Sequence, residues 1–252
     1  MPNAGPSISQ VVSASDFGGF SSVAPGSWVE IHGSNLAPDT RSWTGADFNG
    51  NNAPASLDGV KVSIGGQAAF VEYISATQVN AQLPSNIASG GTLPVTVTNG
   101  STTSVAVSVA MKATEPGLLA PASFKIAGNQ YAVAQLSDGT YVLPVGSIAG
   151  VNSRPAMPGE TIVIYGVGFG SVAPNITAGE VVTQSNQLSA PFEILFGQTP
   201  AQLTYFGLAP SFVGLYQFNV VVPAVADSDV VPLTLNLGNV GGTQSLLISV
   251  HH

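Results

Sequence analysis

Apolar and polar side chains alternate with a period of two along much of this chain. Val60-Lys61-Val62-Ser63-Ile64, Val95-Thr96-Val97-Thr98, Val105-Ala106-Val107-Ser108-Val109 and Leu233-Thr234-Leu235-Asn236-Leu237 each set a branched aliphatic residue at every second position. Successive side chains of a strand point to opposite faces, so the pattern predicts half-buried antiparallel strands. Gly and Pro punctuate these runs, and no segment carries a convincing helical period. The fold class is therefore read as all-β, a sandwich rather than a closed barrel.

The pattern occurs twice. Pro25-Gly26-Ser27-Trp28-Val29-Glu30-Ile31-His32-Gly33 returns as Pro158-Gly159-Glu160-Thr161-Ile162-Val163-Ile164-Tyr165-Gly166, at an offset of 133. Gly66-Gln67 returns as Gly197-Gln198. Gln78-Val79-Asn80-Ala81-Gln82-Leu83-Pro84 returns as Gln217-Phe218-Asn219-Val220-Val221-Val222-Pro223, and Pro94-Val95-Thr96-Val97 as Pro232-Leu233-Thr234-Leu235. Four blocks in one order mean two copies of one sandwich, each of about 100 residues. The expected units are residues 6–115 and 116–250. Residues 251–252, His251-His252, look like the remnant of a purification tag. Pro116, Gly117 and Pro121 interrupt any strand between the copies. Leu118 and Leu119 lie among them and are expected to be buried, giving a stiff junction. Asp138-Gly139 offers the turn of a hairpin that the first copy lacks. It is assigned to the N-terminal side of the second unit.

Composition narrows the function classes. Charged residues are 7% of the 252, and the net charge is −8, from five Lys and Arg against thirteen Asp and Glu. Nucleic acid and anionic lipid are poor partners for such a chain. There is no cysteine, which removes disulfides, thiolate metal sites and cysteine nucleophiles. No apolar run is long enough for a spanning helix, so membrane insertion is not expected. Met1-Pro2-Asn3-Ala4-Gly5-Pro6 lacks the pattern of a leader peptide.

Pro25-Gly26-Ser27-Trp28-Val29-Glu30-Ile31-His32-Gly33-Ser34-Asn35-Leu36 resembles the opening of IPT/TIG immunoglobulin-like domains. The stretch from Ala209 to Pro223, with the Pro116-Gly117 junction and the Asp138-Gly139 hairpin, is similar to the C-terminal module of large secreted proteins from Solibacter-type acidobacteria. That resemblance runs from about Ile8 to Val250. It implies two tandem Ig-like (TIG-like) β-sandwiches and a secreted or cell-surface location. It implies no activity, and fold alone supplies none. TIG-like domains in general serve as adhesion, dimerisation or spacer modules, and some accompany carbohydrate-active enzymes. The candidate partners are a polysaccharide or another surface protein.

Candidate chemistry is sparse. His32 is the one histidine outside the tail, and its counterpart is Tyr165. It reads as a surface or interdomain residue rather than the base of a Ser-His-Asp site. Gly168-Val-Gly170 lacks phosphate-loop spacing and marks a bulge or turn. Scattered acids, including the loop pair Asp227 and Asp229, would serve only a paired-carboxylate glycosidase. No cofactor is expected, except that calcium takes oxygen ligands from flexible loops. Asp39, Asp47 and Asp58, helped by Asn49, Asn51 and Asn52, are the candidate ligands.

The loop over residues 36–57 is longer than the about 12–15 residues of an idle connection. It holds Trp43 and Arg41, each one of two such residues in the chain, while the matching stretch 171–188 has no aromatic. Trp43 with Asp47, Asn49, Asn51 and Asn52 could form a sugar platform, a ring for stacking and amides for hydroxyls. Alternatively Trp43 packs down to pin the loop, or closes the contact between the copies. Gln78, Asn80, Gln217 and Asn219, repeated in both copies, are read as inward amides that satisfy backbone groups.

Overall fold

The computed structural model describes residues 5–15, 19–238 and 240–252. Residues 1–4, within the Met1–Pro6 stretch discussed above, lie outside them. Among the described residues there are strands and two short 3-10 turns, with no α-helix.

Two sheets lie in the first half. One orders Ser7–Ser13, Trp28–Ser34, Gln78–Gln82, Phe70–Ile74 and Arg41–Ser42. The other orders Ser22–Val23, Val107–Met111, Thr92–Asn99, Val60–Ile64 and Gln67–Ala68. Their inner faces share one core, which includes Val29, Ile31, Val71 and Val79 from the first sheet and Val60, Val62, Val95 and Val97 from the second. The second half repeats this plan. Thr161–Val167 lies between Ala134–Gln135 and Tyr216–Val221, and Gln202–Leu208 follows at the edge. Opposite it, Phe192–Phe196 and Leu246–Val250 flank Ser228–Leu237. Ile162, Ile164, Phe218, Ile194, Leu233 and Leu235 meet in its core. Facing sheets over one core make these Ig-like β-sandwiches.

The strand registers repeat as well. Glu30 faces Asn80 and His32 faces Gln78; Val163 faces Asn219 and Tyr165 faces Gln217. The next strand bulges between Val71 and Tyr73 in the first half, and between Leu203 and Tyr205 in the second. Ile64 pairs Gln67 across one hairpin and Phe196 pairs Thr199 across the other. The Gly66-Gln67 match of the sequence therefore shifts by one residue: it is Gly65 that corresponds to Gly197, both with positive φ.

The alternating runs lie where the period placed them, with one correction. Val105 is 88% exposed, and the strand runs over Val107–Met111 with Val109 and Met111 inward. Ser104 causes the offset. Its hydroxyl accepts the Val97 amide N–H at 3.1 Å, and its own N–H bonds the Val97 carbonyl at 2.9 Å. This leaves Val105 outside the ladder.

Leu118 is 1% exposed and belongs to the second core. The Gln244 side chain brackets its backbone, accepting from the N–H at 2.8 Å and donating to the carbonyl at 3.0 Å. Leu119 is half-buried. Leu118→Ala should cost about 2–5 kcal/mol of stability, as a filled core position does. Leu119→Ala should cost clearly less. Urea unfolding of both variants checks the ranking.

Candidate functional site

The loop over residues 36–57 is organised by one guanidinium. Arg41 donates from Nη1 and Nη2 to Asp47 at 3.0 Å each, and from Nη2 to Asp58 at 2.9 Å; its Nε also donates to Asp58. Both carboxylates are shifted below their ordinary range, Asp47 strongly, first by these bonds to Arg41. Arg41 is raised in turn, by Asp58 and then Asp47. Asp39 lies beside Asp58. The Arg41 cation thus stands between two of the three carboxylates assigned to calcium. Among the described residues no group of three or more His, Asp or Glu is placed to hold a metal.

Asp47 also accepts the Thr44 N–H at 2.7 Å and the Thr44 hydroxyl at 3.0 Å, closing the turn Gly45–Asp47. Trp43 is half-buried against the first core. Its ring meets Phe48 edge-to-face at 4.9 Å and Trp28 at 5.6 Å. Beyond Phe48, Asn49 and Asn52 exchange backbone hydrogen bonds at 3.0 and 3.1 Å around Gly50. The side chains of Asn49, Asn51 and Asn52 are exposed. The structure brings Asp47 to Arg41 and sets Trp43 among aromatics, while the asparagines form the turn that follows.

The far end of the loop reaches the second half. Asn52 pairs antiparallel with Glu180. The Ala53 N–H bonds the Gly179 carbonyl at 2.7 Å, and the Val181 N–H bonds the Asn51 carbonyl at 2.9 Å. So the long loop of the first half pairs with the corresponding 171–188 stretch of the second. Beside it the Trp28 indole N–H bonds the Val213 carbonyl at 3.0 Å. Gln82, buried, donates to the Gly26 carbonyl at 3.0 Å and accepts the Gly179 N–H at 2.7 Å. Neither role was legible in the sequence, because Trp28 and Gln82 look like ordinary strand residues. The available signal was the loop's length together with Gly179 and Gly214, which give backbone close approach. A Cβ at Gly214 would stand 2.0 Å from the Gln82 amide nitrogen, and one at Gly179 would stand 2.2 Å from the Phe70 ring.

The repeated amides do not point inward. Gln78 donates to Asn80 at 2.8 Å and Gln217 to Asn219 at 2.8 Å. Val79 and Ala81, and likewise Phe218 and Val220, hold the inner parity of their strands. Period two therefore forces the amides outward, where they are half-buried and bond one another. His32 lies on the same face and meets Glu30 at 3.1 Å. Gly168 and Gly170 are both left-handed, with φ of 82° and 89°, and Gly168 accepts the Glu115 N–H at 3.0 Å. Asp229 bonds His251 at 3.0 Å, and Asp227 bonds His252.

Residues 19–110 match the IPT/TIG domain family. No curated protein matches the chain. Among solved structures, the surface glycan-binding protein PbSGBP-B from Prevotella bryantii is similar at 12% identity and a TM-score of 0.28, over 96% of this chain and 42% of that one. The plexin A4 extracellular region is similar at 16% identity and a TM-score of 0.29, over 99% of this chain and 19% of that one. The titin Ig tandem A164-A165 is similar at 12% and 0.24, over 100% of this chain and 99% of that one. The chain spans less than half the length of the Prevotella protein. At scores this low the likenesses carry no argument.

The Arg41 clamp has a definite pH dependence. Asp47 and Asp58 have lowered pKa values in the fold, so their bonds to Arg41 stabilise the loop above the unfolded carboxylate pKa of about 3.9. That contribution disappears as pH falls through the folded values. Amide exchange at Thr44 and Asp47 should stay protected at about pH 5 and open only below the ordinary carboxylate range. Arg41→Lys, which cannot bond two carboxylates side-on, should open the turn at neutral pH.

Proposed function

We propose that this chain is a non-catalytic pair of Ig-like units in tandem, divided at residues 115 and 116. It serves as a spacer or adhesion module of a secreted or cell-surface protein and holds its two units at a fixed angle. The observation that carries this reading is the seam formed by residues 51–53 against 179–181, Trp28 on Val213, and Gln82 on Gly179. Buried polar groups bonded across a contact fix one geometry, because any other leaves them unpaired. The linker is tied on both sides too. The Glu115 carboxylate receives Ser22 and Lys112 from the first unit, while its N–H bonds Gly168 of the second. The match of residues 19–110 to IPT/TIG domains supports the same reading.

Small-angle scattering tests it. The wild type should fit a single arrangement, and Gly214→Val, which drives a side chain into Gln82 and Trp28, should broaden the distance distribution. A wild type that demands a wide spread of interdomain angles would overturn the rigid spacer.

The second reading is a carbohydrate-binding module using the Trp43 loop. It is favoured by a ring that stays half-exposed, with exposed Asn49 and Asn51 following it. On the spacer reading a glycan array shows no binding through this loop. Binding that Trp43→Ala abolishes, with the β-sheet circular dichroism unchanged, would move the function to Trp43. A carboxylate hydrolase has less support. It needs a general acid with a raised pKa, whereas Asp47, Asp58, Asp138, Glu160 and Asp227 all shift downward.

A further inference from the structure

A cleft of 390 Å³ opens where the two halves meet, lined from both. This lies within the size range of small-ligand sites, which favour domain junctions. Its lining divides into two kinds of polar group. One kind is already engaged in holding the seam. Gln82 is bonded at both ends of its amide, the Ser85 hydroxyl accepts the Ala178 N–H at 3.3 Å, and the buried Tyr216 hydroxyl donates to the Gly170 carbonyl. These groups make the wall rigid. The other kind is free. Thr114, Ser171, Asn175, Thr177 and Glu180 line the cleft, and their side chains make no hydrogen bond or ion pair. Asn175, Thr177 and Glu180 are exposed on one loop, and half-buried Thr114 comes from the opposite side of the seam. Ile176, Val172 and Pro25 supply apolar surface between them.

The chemistry of this lining selects a ligand class. It holds one carboxylate and no Lys, Arg or His, so a phosphate or carboxylate ligand would meet repulsion and no counter-charge. A wholly apolar ligand would cover free polar groups without bonding them, which is unfavourable. Hydroxyl groups both donate and accept. They match a wall that mixes hydroxyls, a carboxamide and a carboxylate, while the C–H faces of a ring fit Ile176 and Pro25. We infer that this cleft is a binding site for a neutral saccharide, held by Thr114 of the first half and by Asn175, Thr177 and Glu180 of the second. It is separate from the Trp43 loop and rests on the fixed arrangement of the two units proposed above, which small-angle scattering tests independently. A ligand touching both halves binds only the joined arrangement, so it also raises the stability of the seam by mass action.

The test is an amide NMR titration of the whole chain with soluble oligosaccharides of β-1,4-glucan, xylan, mannan and α-1,4-glucan. At least one probe should shift the amides of Thr114, Ser171 and residues 175–180. Asn175→Ala combined with Glu180→Gln should weaken that probe by about tenfold, the equivalent of one or two hydrogen bonds. Both positions are exposed and without side-chain partners, so the variant should keep the wild-type spectrum elsewhere. Trp43→Ala should bind as the wild type does. Three results would overturn the inference: no cleft shifts with any probe at millimolar concentration, undiminished binding by the double variant, or shifts centred on residues 43–52 that Trp43→Ala removes.

Discussion

Two backbones approach closely at Gly179 and Gly214, and the arrangement of the whole molecule follows from that contact. With no side chain at Gly214, the Gln82 amide and the Trp28 indole can reach the backbone of the second half. A side chain at either glycine would meet the Gln82 amide or the Phe70 ring well inside van der Waals distance. Once the backbones are this close, an antiparallel bridge forms between Asn52 and Glu180, and the long loop of the first half acquires a fixed end. The cleft beside it is lined by residues of both halves. Directional hydrogen bonds from buried groups give such a contact a unique geometry, which apolar packing alone does not.

Charge is scarce in this chain, and much of it is committed to local order. The two arginines show the pattern. Arg41 is bonded to Asp47 and Asp58 and fixes the start of the long loop. Arg154 is bonded side-on to Glu160 at 2.9 and 2.7 Å, and Glu160 in turn accepts the Met157 N–H at 2.8 Å. In each case a cation and its carboxylate close a turn that alternation cannot specify. A guanidinium with its donors so occupied positions its loop and has little left for an anionic ligand. The unbonded polar side chains that line the cleft are Thr114, Ser171, Asn175, Thr177 and Glu180, and all but Glu180 are neutral.

Much of the architecture was legible because it depends on short-range periodicity. Alternation identifies inner and outer faces once strands exist, and the repeat carries the assignment from one half to the other. The same rule sends Gln78 and Asn80 outward, because they alternate with the inward Val79 and Ala81; their repetition in both halves points the other way and does not decide it. Val105 failed for a different reason: Ser104 captures both backbone groups of Val97 and displaces the strand. The long loop stood out by its length, its tryptophan and its arginine. Which of its residues would meet, and what would meet them, did not. Arg41 reaches Asp58 across 17 positions, and nothing in the spacing singles out that pair from the other acids.

What the sequence by itself determined, then, is the strand pattern, its doubling, and the exclusion of thiol chemistry. These depend on residue type and on a period of two, which act along the chain. The tertiary structure alone decided the seam, the role of Trp28 as a donor to Val213, the pairing of Asp47 and Asp58 with Arg41, and the cleft. These need groups 6 to 185 positions apart to meet. Such meetings are set by how two folded surfaces fit, and that fit is a property of the assembled backbone rather than of any local run of residues.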